Sequence, residues 1–207
     1  MYIYEKKMNK TKIKYFTCFL ILACLGTLFF FYKRNDAKMV GLLQSTNQDR
    51  LQLPSVEYEE IVLLPYNVNA NTVTYFYDKS KDKSILENAI VEFEGVYRPS
   101  QGVDYFFEDK VFEVMAMLSG KVIEVKDDNL MGKSVTIESD GLFLTYQSLS
   151  KVNVEPGQLV TQSTSIGLSG ENLYNHSLGI HLHIVAEKDG QLLDPETLIG
   201  KKLSELK

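Results

Sequence analysis

The chain has 207 residues, 44% hydrophobic and 24% charged, with no Trp and a formal net charge of −5, a globular composition with room for one ordinary domain and an additional segment. Eight of its 22 Lys/Arg and only two of its 27 Asp/Glu lie in residues 1–40, so residues 41–207 keep 14 basic and 25 acidic side chains, a net of −11. A body that acidic argues against nucleic acid as a partner, because phosphate binding needs the opposite sign.

Residues 1–14 read as a cytoplasmic tail carrying Lys6, Lys7, Lys10, Lys12 and Lys14. Tyr15 to Tyr32 follows as 18 residues without a charge, close to the minimum of about 17–25 with which a helix spans a bilayer. Lys33, Arg34 and Lys38 come next, and the larger N-terminal excess of positive charge predicts the N-terminus inside and the body outside. The competing reading is a cleavable signal peptide. The apolar run ends in FFFYKRND with no small-x-small cleavage site, which favours a retained single-pass anchor over residues 15–32. Both cysteines, Cys18 and Cys24, fall inside this span. The exported part therefore has neither a disulfide framework nor thiol chemistry.

Residues 33–60 are polar, without a sustained apolar period, and read as a linker. Residues 61–95 change to short β-type runs: IVLL, TVTYFYD, and AIVEFEGVY, in which Ala89, Val91 and Phe93 alternate. They are expected to add N-terminal strands to the exported domain, with Asp78–Leu86 as a charged connecting loop. From about residue 96 to 200, turn signals recur every eight to twelve residues and long helical periodicity is absent. Asp127–Gly132, Ser139–Gly141, Pro156–Gly157 and Gly167–Gly170 mark corners, and Asp189–Gly190 is a two-residue hairpin signal. This texture predicts a mainly β domain, an antiparallel sandwich or half-barrel, followed by a tail at 201–207.

GIHLHIV, residues 179–185, places His181 and His183 at i and i+2. On a strand both imidazoles then face the same side, which is how a zinc site begins. RPSQGVD (98–104), LSGKVIEV (118–125), YQSLS (146–150), VEPGQLV (154–160), SIGLSG (165–170) and GIHLHI (179–184) occur in that order. Together they resemble the lysostaphin/LytM-type zinc endopeptidases of family M23, over roughly residues 90–200. The resemblance implies the M23 β fold and a zinc held by the His and Asp of H-x-x-x-D and the second His of H-x-H. The first His of H-x-H and a further His in a Y-x-H-L-type motif assist catalysis in that family.

Matched one residue at a time, His183 and Asp104 correspond to zinc ligands and His181 to the catalytic neighbour. Ser100 stands where the family has its first His ligand, and Ser148 where it has the other catalytic His. A catalytic zinc needs three protein ligands and an open position, and a neutral hydroxyl is a poor substitute for imidazole. Without the metal, the pKa of water is not lowered from about 15.7 to about 7. Loss of an oxyanion donor costs a further ~10²–10³ in rate. The resemblance thus implies a pseudo-peptidase with no cofactor, in which Asp104, His181 and His183 are vestigial. His176, in NLYNHSLG, is the remaining histidine: a third ligand if it swung inward, an exposed loop residue otherwise.

YQSLS with Ser for His, SG-x-NLY before the H-x-H strand, and SQGVD in place of an H-x-G-V-D pattern are similar to a degenerate, sporulation-specific branch of the family. That likeness implies a forespore-membrane protein with its domain in the intermembrane space. The implied partner is a stage III sporulation protein AH-like protein of the mother-cell membrane, in an engulfment zipper and an intercellular channel. Three alternatives stand beside it: an active zinc endopeptidase, an activator of a separate cell-wall hydrolase, and a peptidoglycan-binding module. The absence of sustained heptads in residues 35–60 counts against the activator.

Overall fold

The computed structural model describes residues 59–206. The tail expected at 1–14, the anchor at 15–32 and nearly all of the linker at 33–60 lie outside the described residues. Among the described residues no helix is long and apolar enough to cross a membrane.

The strands in chain order are β1 (Asn71–Thr74), β2 (Ile90–Phe93), β3 (Val96–Pro99), β4 (Val103–Phe106), β5 (Glu113–Met115) and β6 (Gly120–Asp128). They continue with β7 (Gly132–Ser139), β8 (Leu142–Val152), β9 (Leu159–Val160), β10 (Ser165–Ser169), β11 (His181–Lys188) and β12 (Gln191–Leu193). Ten of them form one antiparallel sheet in the order β1-β4-β11-β8-β7-β6-β9, with β12 added to β11 and β10 joining β5 to β8. β2 and β3 make a separate hairpin. The fold is mainly β and antiparallel, and hydrogen bonding links the layers of the expected sandwich or half-barrel into one branched sheet.

The tight turns follow from backbone sign. Glu94–Gly95, Asp140–Gly141 and Asp189–Gly190 all have positive φ at both positions, the geometry that matches the twist of a two-residue hairpin. The branch in the sheet sits on β8. Its first part, Leu142–Gln147, pairs with β11, and its last part, Leu149–Val152, pairs with β10. Along the first part, Leu142, Leu144 and Tyr146 are buried and alternate with half-buried neighbours, as a strand with one core face must. Ser148 lies at the changeover with φ +63, and the buried phase resets at Leu149.

The core face collects Val103, Tyr105, Ile137, Leu144, Tyr146, Ile166, Leu182 and Ile184, each 0–1% exposed. Each such side chain contributes about 1.5–3 kcal/mol of burial. Tyr146 meets its polar requirement there by accepting a hydrogen bond from the Met117 amide at 2.9 Å.

Three N-terminal segments differ from expectation. IVLL forms no strand: it contributes an isolated bridge, Ile61 to Lys202, and single backbone hydrogen bonds from Val62 to the Lys201 carbonyl and from Leu63 to the Met117 carbonyl. TVTYFYD is a strand only to Thr74. The charged connection contains a short helix, Lys83–Glu87, with an exposed Lys83–Glu87 ion pair at 3.7 Å that adds at most about 1 kcal/mol.

Candidate functional site

The register of β4 against β11 builds the site. His183 lies directly opposite Asp104, and Leu182 opposite Tyr105. Cross-strand partners share a face, so Tyr105 and Leu182 go to the core while Asp104 and His183 meet on the other side. His183 Nδ1 donates to Asp104 Oδ1 at 2.6 Å. The second oxygen, Oδ2, accepts from Asn175 Nδ2 at 3.0 Å. Asp104 is 1% exposed. Burial pushes its carboxyl pKa up, but the attraction of His183 and the hydrogen bond from it outweigh that, and the carboxyl is held below its ordinary value.

His181 is fully buried. Its Nδ1 donates to the Gly179 carbonyl at 2.8 Å, a partner that can only accept, so Nε2 is the acceptor nitrogen. Ser148 Oγ lies 3.0 Å from Nε2 and Asn172 Nδ2 lies 3.1 Å from it. Asn172 Nδ2 also donates to Ser148 Oγ at 2.7 Å. Burial holds the His181 pKa below its ordinary value, against the opposing pull of Asp104, and the ring is a neutral member of a closed network. A Ser–His hydrogen bond of this length is also the start of a nucleophilic pair. Ser148 is 0% exposed and already accepts from Asn172, so no substrate carbonyl can approach it.

The fifth family position, Ser100, and the loop histidine His176 make no hydrogen bond to this cluster. Ser100 is buried with its hydroxyl donating to the Gly102 carbonyl at 2.8 Å, inside its own turn. His176 opens a 3₁₀ turn, His176–Leu178, and is exposed. The structure thus brings Asp104, His181, His183 and Ser148 into one cluster, with Ser100 beside it and His176 outside.

This cluster does not fit a catalytic zinc. Two donors each about 2.0–2.1 Å from a tetrahedral ion stand about 3.3 Å apart, whereas His183 Nδ1 and Asp104 Oδ1 are 2.6 Å apart and bonded to each other. A Cβ on Gly102 would lie 2.8 Å from His183 Nε2 and 2.1 Å from the Ile184 carbonyl, so the chain passes close beside the imidazole. Only glycine allows that approach. Among the described residues no group of three His, Cys, Asp or Glu is placed to hold a metal.

Above the cluster an open cleft of about 650 Å³ is lined by Phe76, Tyr77, Arg98, Gln147, Tyr174 and His183 among others. Gln147 Oε1 is buried there without a hydrogen-bond partner. Sequence reasoning passed over Asn172 and Asn175, which are 7% and 9% exposed. The N-x-x-N spacing inside NLYN carries meaning only because both amides turn inward.

The model of Peptidase family M23 matches residues 98–195. Stage II sporulation protein Q of Bacillus subtilis (strain 168) is 39% identical over 174 residues, 83% of this chain. The chain spans 57% of that relative's length. A solved structure of the SpoIIQ–SpoIIIAH pore forming complex contains a chain 38% identical to this one, with 72% of this chain and 96% of that one covered and a TM-score of 0.69. A second structure of the SpoIIIAH and SpoIIQ complex agrees, at 38% identity, 67% and 99% coverage and a TM-score of 0.64. A zinc-containing peptidase from Vibrio cholerae shares the fold, at 24% identity, 66% and 40% coverage and a TM-score of 0.53.

Proposed function

This chain belongs to the stage II sporulation protein Q family, with a domain of the M23 type, and from that premise we propose that it is a catalytically inactive, membrane-anchored protein of endospore formation. Residues 15–32 hold it in the forespore membrane, with the N-terminus in the cytoplasm and the β domain in the intermembrane space. There it binds a SpoIIIAH-type protein of the mother-cell membrane, in the engulfment zipper and the channel between the two cells. The observation that carries this reading is the likeness, 38% identity across 96% of the solved chain, to a protein whose structure is that of a SpoIIQ–SpoIIIAH complex.

Inactivity rests on the donor set. Ser100 and Ser148 stand where the family has histidines, and the two remaining ligand positions, Asp104 and His183, are bonded to each other. Water at such a site keeps its ordinary pKa and no hydroxide nucleophile forms. The reading is tested by capturing the tagged full chain from sporulating cells. A SpoIIIAH-type protein in the eluate supports it. Its absence, or stoichiometric zinc together with digestion of purified cell wall, contradicts it.

One observation favours an accessory role. The open cleft beside His183 keeps aromatic and amide side chains along its walls, which suits a retained grip on wall peptides without cleavage. Cosedimentation of the full chain in detergent with purified peptidoglycan measures that directly.

A further inference from the structure

Ser100 in place of histidine removes one ligand from the zinc site that the family implies, and it leaves two. Those two are engaged elsewhere. Asp104 Oδ1 is taken by His183 Nδ1 and Oδ2 by Asn175 Nδ2. Thr74 of β1 lies beside Asp104 as its cross-strand partner, and the loop between β10 and β11 supplies the remaining contacts. Asn172 Nδ2 reaches both Ser148 Oγ and His181 Nε2, and Asn172 Oδ1 accepts the backbone N–H of Asn175 at 2.7 Å. The two amides therefore join β4, β8 and β11 through three side-chain hydrogen bonds, to Asp104, Ser148 and His181, in a space that is almost wholly buried.

A metal bridging Asp104 and His183 would have to displace the hydrogen bond on Oδ1, and one bound through Oδ2 would compete with the Asn175 amide for it. Bonds to charged groups are worth about 1.5–3 kcal/mol each. Between the two asparagines, Tyr174 packs against Phe93 of the β2–β3 hairpin, ring centroids 5.5 Å apart and the planes tilted by 39°, so the same loop supports one wall of the cleft.

We infer that Asn172 and Asn175 form a metal-free clasp that has taken over the zinc's place: Asn175 keeps Asp104 closed to divalent cations, and Asn172 fixes the loop on the His181–Ser148 pair. The inference rests on the reading of Ser100 as the lost ligand position, and it adds that restoring this ligand is not sufficient to restore the metal. The determinant of metal rejection is then shared between position 100 and a loop about 70 residues away in sequence.

The test uses the full chain in detergent and zinc ion alone, with affinity read by competition against a chromophoric chelator. Ser100→His by itself is expected to gain only weak zinc binding, and Ser100→His with Asn175→Ala to bind at least about tenfold more tightly. Equal zinc affinity of the two variants overturns the guarding role of Asn175. If neither binds zinc at all, the reading of Ser100 as a ligand position fails instead. The clasp itself is read in the unmodified protein by amide exchange at Asn175, whose N–H donates to Asn172 Oδ1. That amide should exchange as slowly as those of β11, and about tenfold faster after Asn172→Ala, with β6 and β7 unchanged. Exchange of the Asn175 amide at the rate of a free loop in the unmodified protein overturns the clasp.

Discussion

Replacing His181 by alanine separates a structural imidazole from a catalytic one. The ring is 0% exposed and has three polar neighbours: the Gly179 carbonyl at 2.8 Å, Ser148 Oγ at 3.0 Å and Asn172 Nδ2 at 3.1 Å. Truncation leaves the buried Ser148 and Asn172 groups and the part-buried Gly179 carbonyl with one partner fewer, and an unsatisfied buried group costs about 1–3 kcal/mol. Ser148 and Asn172 still have each other at 2.7 Å, so the sum falls toward the lower end, and with the cavity the loss should be about 3–5 kcal/mol. For a domain of this size that lowers Tm by roughly 10 °C. Urea unfolding followed by circular dichroism reads the change.

The same residue carries a pH signature. Burial holds the His181 pKa below 6.5 in the folded protein, so the unfolded chain takes up this proton first as pH falls. Its contribution is complete above pH 6.5 and is lost as pH drops through the folded value. The unmodified protein should therefore show this component of acid destabilisation, and His181→Ala should lack it. A loss under about 1 kcal/mol, with the pH dependence unchanged, would refute the structural role.

Asp104→Ala should cost about 3–5 kcal/mol, because it strands His183 and the Asn175 amide. The lowered carboxyl pKa adds stability that is present above the ordinary value of 3.8 and lost as pH falls through the folded value; urea midpoints of the variant between pH 3 and 7 should lack that component. Gly102→Ala places a Cβ 2.1 Å from the Ile184 carbonyl, an overpacking that cannot be relieved by a side-chain rotation and should cost about 3 kcal/mol, read as a lowered urea midpoint. On the proposal that no metal contributes to the folded state, a chelator should leave Tm within about 1 °C; a fall of several degrees in differential scanning calorimetry would show a resident ion.

The β texture was legible because half-buried strands announce themselves by alternation: Leu142, Leu144 and Tyr146 face the core as their spacing implies. The turn at Asp189–Gly190 was legible because its two positive φ values restrict the residues that can occupy it. The pairing of His181 with His183 follows from strand geometry alone. What lay beyond reach depends on contacts distant in sequence. Nothing near Asn175 signals that its amide ends on Asp104, and nothing near Ser148 signals that β8 changes partners there. The helix Lys83–Glu87 was hidden in a run of charges that reads equally well as solvated loop. IVLL pairs with Lys202 only as an isolated bridge, a partner far away in sequence that no local pattern signals.

The most direct measurement of the central claim is a binding titration between the full chain in detergent and the extracytoplasmic domain of a SpoIIIAH-type protein from the same cells, run in chelator and again with added zinc. The account predicts a saturable complex of the same affinity in both conditions, with purified cell wall left undigested by the chain throughout. No complex in either condition, or binding that appears only with zinc alongside wall hydrolysis, would contradict it.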